Sequence, residues 1–94
     1  MIKSFLDKET RELFRTGRCK SLPAGVCLVA RRKLFQIDKA KTLSDLKVPP
    51  GNRLEALKGN LKGFYSIRVN KQYRIIFRFE KGNAYDVAVV DYHK

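Results

Sequence analysis

The sequence predicts an α+β fold in one domain, residues 1–94, with two helices preceding a small, mostly antiparallel sheet. Apolar residues recur at helical spacing as far as Lys39, and strand-like alternation takes over from Tyr65 to the C-terminus. Ninety-four residues with 44% hydrophobic content are enough for one core, with no room for a separate cofactor domain.

Each element follows from local chemistry. Ile2 to Phe5 reads as a short strand. Asp7 is placed to cap a helix over 8–16, which Gly17 can end, and Leu13 and Phe14 give it a narrow apolar edge. Ser21 and Pro23 open a second helix over 24–39. Cys27, Ala30, Leu34 and Ile37 form its stripe, Val26 and Leu28 widen it, and Arg31, Arg32 and Lys33 fall outside it. Thr42 to Asp45 has the pattern of a capping box before one short turn, and Pro49-Pro50-Gly51-Asn52 is a break.

The last forty residues read as β, with three strands from Tyr65 onward. Tyr65, Ile67 and Val69 alternate with Ser66 and Arg68, and Asn70-Lys71-Gln72 turns the chain. Tyr73, Ile75, Phe77 and Phe79 then face the core, with Arg74, Ile76, Arg78 and Glu80 opposite. Lys81-Gly82-Asn83 is the second turn, after which Tyr85, Val87 and Val89 rejoin the apolar side. With three-residue loops in both hairpins, Arg68 faces Arg74, Arg74 faces Val90, and Tyr92 is a diagonal neighbour of Arg74. Facing arginines are unfavourable unless an anion lies between them.

Charge narrows the function. Twenty-one Lys and Arg against nine Asp and Glu leave +12. Such self-repulsion points to a polyanionic partner, nucleic acid first, since phosphate neutralisation gives sequence-independent affinity. No apolar stretch approaches the roughly 18 residues needed to span a membrane. The opening MIKSFLDKE lacks the apolar core of a secretory signal, so the chain reads as cytoplasmic. Cys19 and Cys27 read as free thiols in a reducing compartment, with a disulfide between them as the less favoured alternative. A single histidine disfavours a zinc site, and neither metal nor cofactor is expected.

Metal-free RNA cleavage needs a base for the 2′-OH, a cation for the phosphorane and an acid for the leaving oxygen. The polar face offers Arg74 for phosphate, Lys58 in the loop after Leu57, the Asp91-Tyr92-His93 cluster, and Glu55 as a further acid or base. Arg53, Lys62, Arg68, Lys71 and Arg78 are candidate RNA contacts. Every one of these also has an ordinary reading as a solvated charge or a packing residue. On residue chemistry alone the chain is a basic-faced nucleic-acid binder in which catalysis is permitted.

The ordered stretches Met1 to Phe5, Arg53-Leu54-Glu55-Ala56-Leu57-Lys58-Gly59, Gly63 to Ile67, Tyr73-Arg74-Ile75, Ala84-Tyr85 and Asp91-Tyr92-His93 resemble the HigB-like toxins (plasmid maintenance system killer proteins) of the RelE/ParE superfamily. The resemblance covers essentially the whole chain. It implies a RelE-like, microbial RNase type of fold, with a curved sheet and both helices packed on one side. It implies a ribosome-dependent mRNA endonuclease acting in the A site and inhibiting translation. It further implies a helix-turn-helix, HigA-like antitoxin, with a toxin–antitoxin heterotetramer on operator DNA. The family's functional positions fall on Lys58, Arg74, Asp91, Tyr92 and His93.

Many members carry His-Pro where this chain has Glu55-Ala56, so proton transfer would fall to Glu55 or His93. Two rival functions follow from the same resemblance: a ParE-like poison of DNA gyrase, and an inactive homologue that still binds its antitoxin. The acid/base cluster favours the nuclease; the replaced histidine is the main support for an inactive homologue.

Overall fold

The computed structural model describes residues 1–92, so His93 lies outside the described residues. Helix α1 (Lys8–Thr16) starts where Asp7 accepts a hydrogen bond from the Thr10 amide at 2.6 Å. It stops at Gly17, whose φ of +83° suits glycine and whose N–H bonds the Leu13 carbonyl. Helix α2 (Ala24–Lys39) buries Cys27, Ala30, Leu34 and Ile37, the expected stripe, together with Val26. Leu28, expected to widen that stripe, is instead 77% exposed.

Lys33, expected outside the stripe, is buried. Its ammonium donates to Asn52 Oδ1, and the Asn52 amide donates to Gln36 Oε1, Leu46 O and Val48 O. Burial holds the Lys33 pKa below its ordinary value, and Arg32 beside it acts the same way. Asn52 is thus a fully buried hub that ties α2 to the 3₁₀ turns over Leu43–Lys47 and Pro50–Asn52. The expected capping box is formed between Thr42 and Asp45.

The cysteines are not free. Cys19 and Cys27 form a disulfide, because the segment after α1 folds back on the first turn of α2 and brings their Cα atoms to 6.1 Å. The bridge closes the connection between the helices.

The sheet contains β1 (Glu55–Ala56), β2 (Tyr65–Arg68), β3 (Tyr73–Glu80) and β4 (Asn83–Asp91), in the order β1-β2-β3-β4 and antiparallel throughout. Strand β1, two residues long and without alternation, had no sequence signal. The N-terminal segment touches β4 through parallel bridges at Ile2–Ala84 and Phe5–Val87.

The second hairpin departs from expectation in two offsetting ways. Glu80 pairs with Asn83, so the turn has two residues, Lys81 and Gly82. A bulge then places both Asp86 and Val87 opposite Phe77, with Asp86 at φ +53°. Arg74 still faces Val90, and Arg68 faces Arg74, as the sequence reading has them. Tyr85, however, pairs with Arg78 on the polar face, and Ala84 takes the core position expected for it.

One face of the sheet packs Ile67, Ile75, Phe77, Ala84 and Val87 against Leu13, Ala30, Leu34 and Ile37 of the helices. The opposite face is not purely cationic. Leu57, Phe64, Ile76 and Ala88 form a second apolar cluster, beneath the loop from Leu57 to Phe64. It separates Arg78 at one end of the face from Arg74 at the other. No helix among the described residues is long and apolar enough to cross a membrane.

Candidate active site

Arg74 is the centre of the polar face. It is buried to within 9% although it is charged, and strand neighbours hold it. Its Nε donates to Ser66 Oγ at 2.8 Å, and Nη2 donates to the Arg53 carbonyl at 2.7 Å. Nη2 also lies 3.3 Å from Glu55 Oε1, and the guanidinium carbon sits 5.6 Å from the Tyr92 ring centre. The hydrogen bonds and the ion pair that hold Arg74 among the described residues run through Nε and Nη2, and the side chain lines a groove on this face.

Register explains the arrangement. Glu55 faces Ser66 across β1 and β2, and Arg74 reaches Ser66 diagonally across β2 and β3. Arg53 is in the left-handed region at φ +46°, just after the Asn52 hub, and this sends its carbonyl toward Arg74. Tyr92 extends the β3–β4 ladder, its N–H bonding the Gln72 carbonyl at 2.6 Å.

The facing pair Arg68 and Arg74 avoids collision by diverging. Arg68 Nε turns toward the hairpin and bonds Asn70 O at 3.0 Å, while Arg74 leans the other way, to Ser66. Between and beyond them opens a groove of about 530 Å³, lined by Arg53, Glu55, Arg68, Lys71, Arg74 and Tyr92 with Asn70 and Gln72. Four cations against one carboxylate make it a seat for an anion, with a phenol at its edge.

The other sequence candidates are placed as follows. Lys58 and Lys62 are exposed and do not line the groove. Asp91 accepts from Gln72 Nε2 at 3.0 Å and is exposed at the end of β4. Arg78 is remote, stacked 4.4 Å over Phe64 and paired with Asp86 at 3.4 Å. Ser66, Asn70 and the Arg53 carbonyl were not anticipated. Ser66 signalled itself only through register, as the small polar residue diagonal to Arg74. Asn70 Oδ1 shapes the hairpin by accepting from Gln72 N and Tyr73 N, both at 2.8 Å, a role that asparagine at a turn start does signal.

The family model for the RelE-like toxin HigB of type II toxin–antitoxin systems matches residues 3–93. The chain belongs to the HigB-like toxins. Toxin HigB-1 of Vibrio cholerae serotype O1 is 44% identical over 95 residues, covering 100% of this chain and 99% of that protein. Endoribonuclease HigB of Proteus vulgaris is 37% identical over 93 residues, covering 99% of this chain and 100% of that one. Among solved structures, the YoeB–YefM complex from Staphylococcus aureus contains a chain with TM-score 0.61 at 19% identity, covering 100% of this chain and 99% of its own length. The α+β fold of this HigB-like toxin is therefore that of RelE-like toxins, and its biological setting is a type II system in which an antitoxin is its partner.

Proposed function

We propose that this HigB-like toxin is a ribosome-dependent mRNA endonuclease that cuts in the A site, with the Arg74 groove as its active site. The observation that carries the reading is the buried guanidinium of Arg74, fixed through Nε and Nη2 and lining a cationic groove. An arginine so held can bond non-bridging phosphate oxygens without reorganising as negative charge develops. The support from relatives is the 37% identical endoribonuclease of Proteus vulgaris.

In this reading the substrate 2′-oxygen attacks phosphorus, the P–O5′ bond breaks, and the products are a 2′,3′-cyclic phosphate and a 5′-hydroxyl. Arg74 stabilises the phosphorane. Glu55, 3.3 Å from Arg74, or His93 removes the 2′-proton, and Tyr92 or His93 protonates the leaving oxygen. Arg53, Arg68 and Lys71 hold flanking phosphates along the groove. Lys58 and Asp91 act from outside the groove wall, and Lys62 and Arg78 meet RNA farther out. No metal is required. The ribosome supplies the orientation that a chain of this size cannot impose on a free strand. We place the protein in the cytoplasm, restrained by a HigA-like helix-turn-helix antitoxin in a heterotetramer on operator DNA.

The test is primer extension on an mRNA being translated in a purified system, with ribosomes omitted in parallel. New 5′ ends inside codons, appearing only with ribosomes, are expected. Their absence with folded protein would overturn the nuclease reading in favour of a gyrase poison or an inactive antitoxin binder, which DNA-break and growth assays in induced cells separate.

A further inference from the structure

We infer that Ser66 is a positioning residue for cleavage, acting by fixing the orientation of the Arg74 guanidinium; this rests on the endonuclease reading above. Ser66 is fully buried in the middle strand of the groove floor. Its hydroxyl accepts from Arg74 Nε at 2.8 Å, in a bond that is itself buried. Guanidinium is planar, so one bond at Nε and one at Nη2 define both its plane and its rotation. The Arg53 carbonyl supplies the second, at 2.7 Å. With both in place, the guanidinium plane is held fixed where Arg74 lines the groove.

Without Ser66 Oγ, the side chain keeps its charge and its Arg53 and Glu55 contacts, but it is free to rotate about the remaining anchor. The groove still attracts RNA through Arg53, Arg68 and Lys71. What is lost is registration of the hydrogen-bond donors on the phosphorane. Ser66 therefore acts on the chemical step more than on binding.

The experiment is single-turnover cleavage of mRNA on programmed ribosomes by wild type, Ser66→Ala, Arg74→Lys and the double variant. Ser66→Ala is expected to lower the saturating rate by about 10- to 100-fold, with half-saturation nearly unchanged. In the Arg74→Lys background, which has no Nε to hold, Ser66→Ala is expected to cost little more. Equal losses in both backgrounds, or an unchanged rate in a folded Ser66→Ala protein, would overturn the inference.

Side-chain ¹⁵N spectra of the wild type give an independent test that needs no variant. The Arg74 Nε–H is expected to exchange with solvent far more slowly than that of exposed Arg53. Comparable exchange rates would refute the inference even if Ser66→Ala failed to fold. If no protein cleaves mRNA yet Arg74 Nε–H is protected, the endonuclease reading falls and the Ser66–Arg74 anchor stands.

Discussion

Arg74→Ala is expected to abolish growth arrest, and the structure adds that it does so at a cost in stability. Truncation removes two hydrogen bonds from a buried cation, each worth about 1.5–3 kcal/mol. The ion pair with half-exposed Glu55 adds at most about 1 kcal/mol. Against this stands relief of the desolvation that a buried guanidinium suffers, so the net loss is about 2–4 kcal/mol. A domain with about 5–15 kcal/mol of stability survives that loss at 25 °C, but its thermal midpoint falls by roughly 10 °C or more. The loss of one preorganised donor at the phosphorane is worth about 100- to 1,000-fold in rate. The assay must therefore pair cleavage on ribosomes at low temperature with circular dichroism on the same sample. A folded Arg74→Ala protein that cleaves within about threefold of wild type would refute the assignment of Arg74 to the reacting phosphate.

Asn52→Ala strips the hub between α2 and the turns and leaves the Lys33 ammonium without its acceptor. Urea titration should show a loss of about 3–4 kcal/mol. Because the Lys33 pKa is lowered by burial, the unfolded chain binds that proton more tightly, so this group's contribution to stability rises as pH climbs through the folded pKa toward the ordinary lysine value. Wild type should accordingly gain stability relative to Lys33→Met between neutral pH and about pH 10.5, and parallel curves would contradict it. Reducing the Cys19–Cys27 bridge opens a short loop and should lower stability by roughly 2–3 kcal/mol. An unchanged melting curve in dithiothreitol would show that the thiols are unpaired in solution.

The legible parts of the fold are those governed by neighbours in sequence. Asp7, Gly17 and the Cys27–Ile37 stripe set the helices, and alternation from Tyr65 set the three long strands, each within a residue or so of its observed bounds. Contacts between distant segments were not legible. Lys33 is buried because Asn52, nineteen residues away, supplies an acceptor. Strand β1 exists because β2 offers it an edge. The disulfide depends on how one loop folds back. At the site, Arg74, Glu55 and Tyr92 were chosen from chemistry and do converge. The divergence of Arg68 from Arg74 needed side-chain geometry, which a register alone does not supply.

The bulge at Asp86 gives the chain an unusual relation between its length and its groove. Asp86 is the extra residue opposite Phe77, so its deletion would restore a regular ladder in which Val90 still meets Arg74. At the other end of β4 the effect differs, because the Asp86 amide bonds Ser4 Oγ and its carboxylate partners Arg78. Removing one residue here would thus loosen the docking of the first few residues while leaving the anion seat in frame. The amino-terminal attachment and the groove share a strand, yet a single deletion can act on one and pass unnoticed by the other.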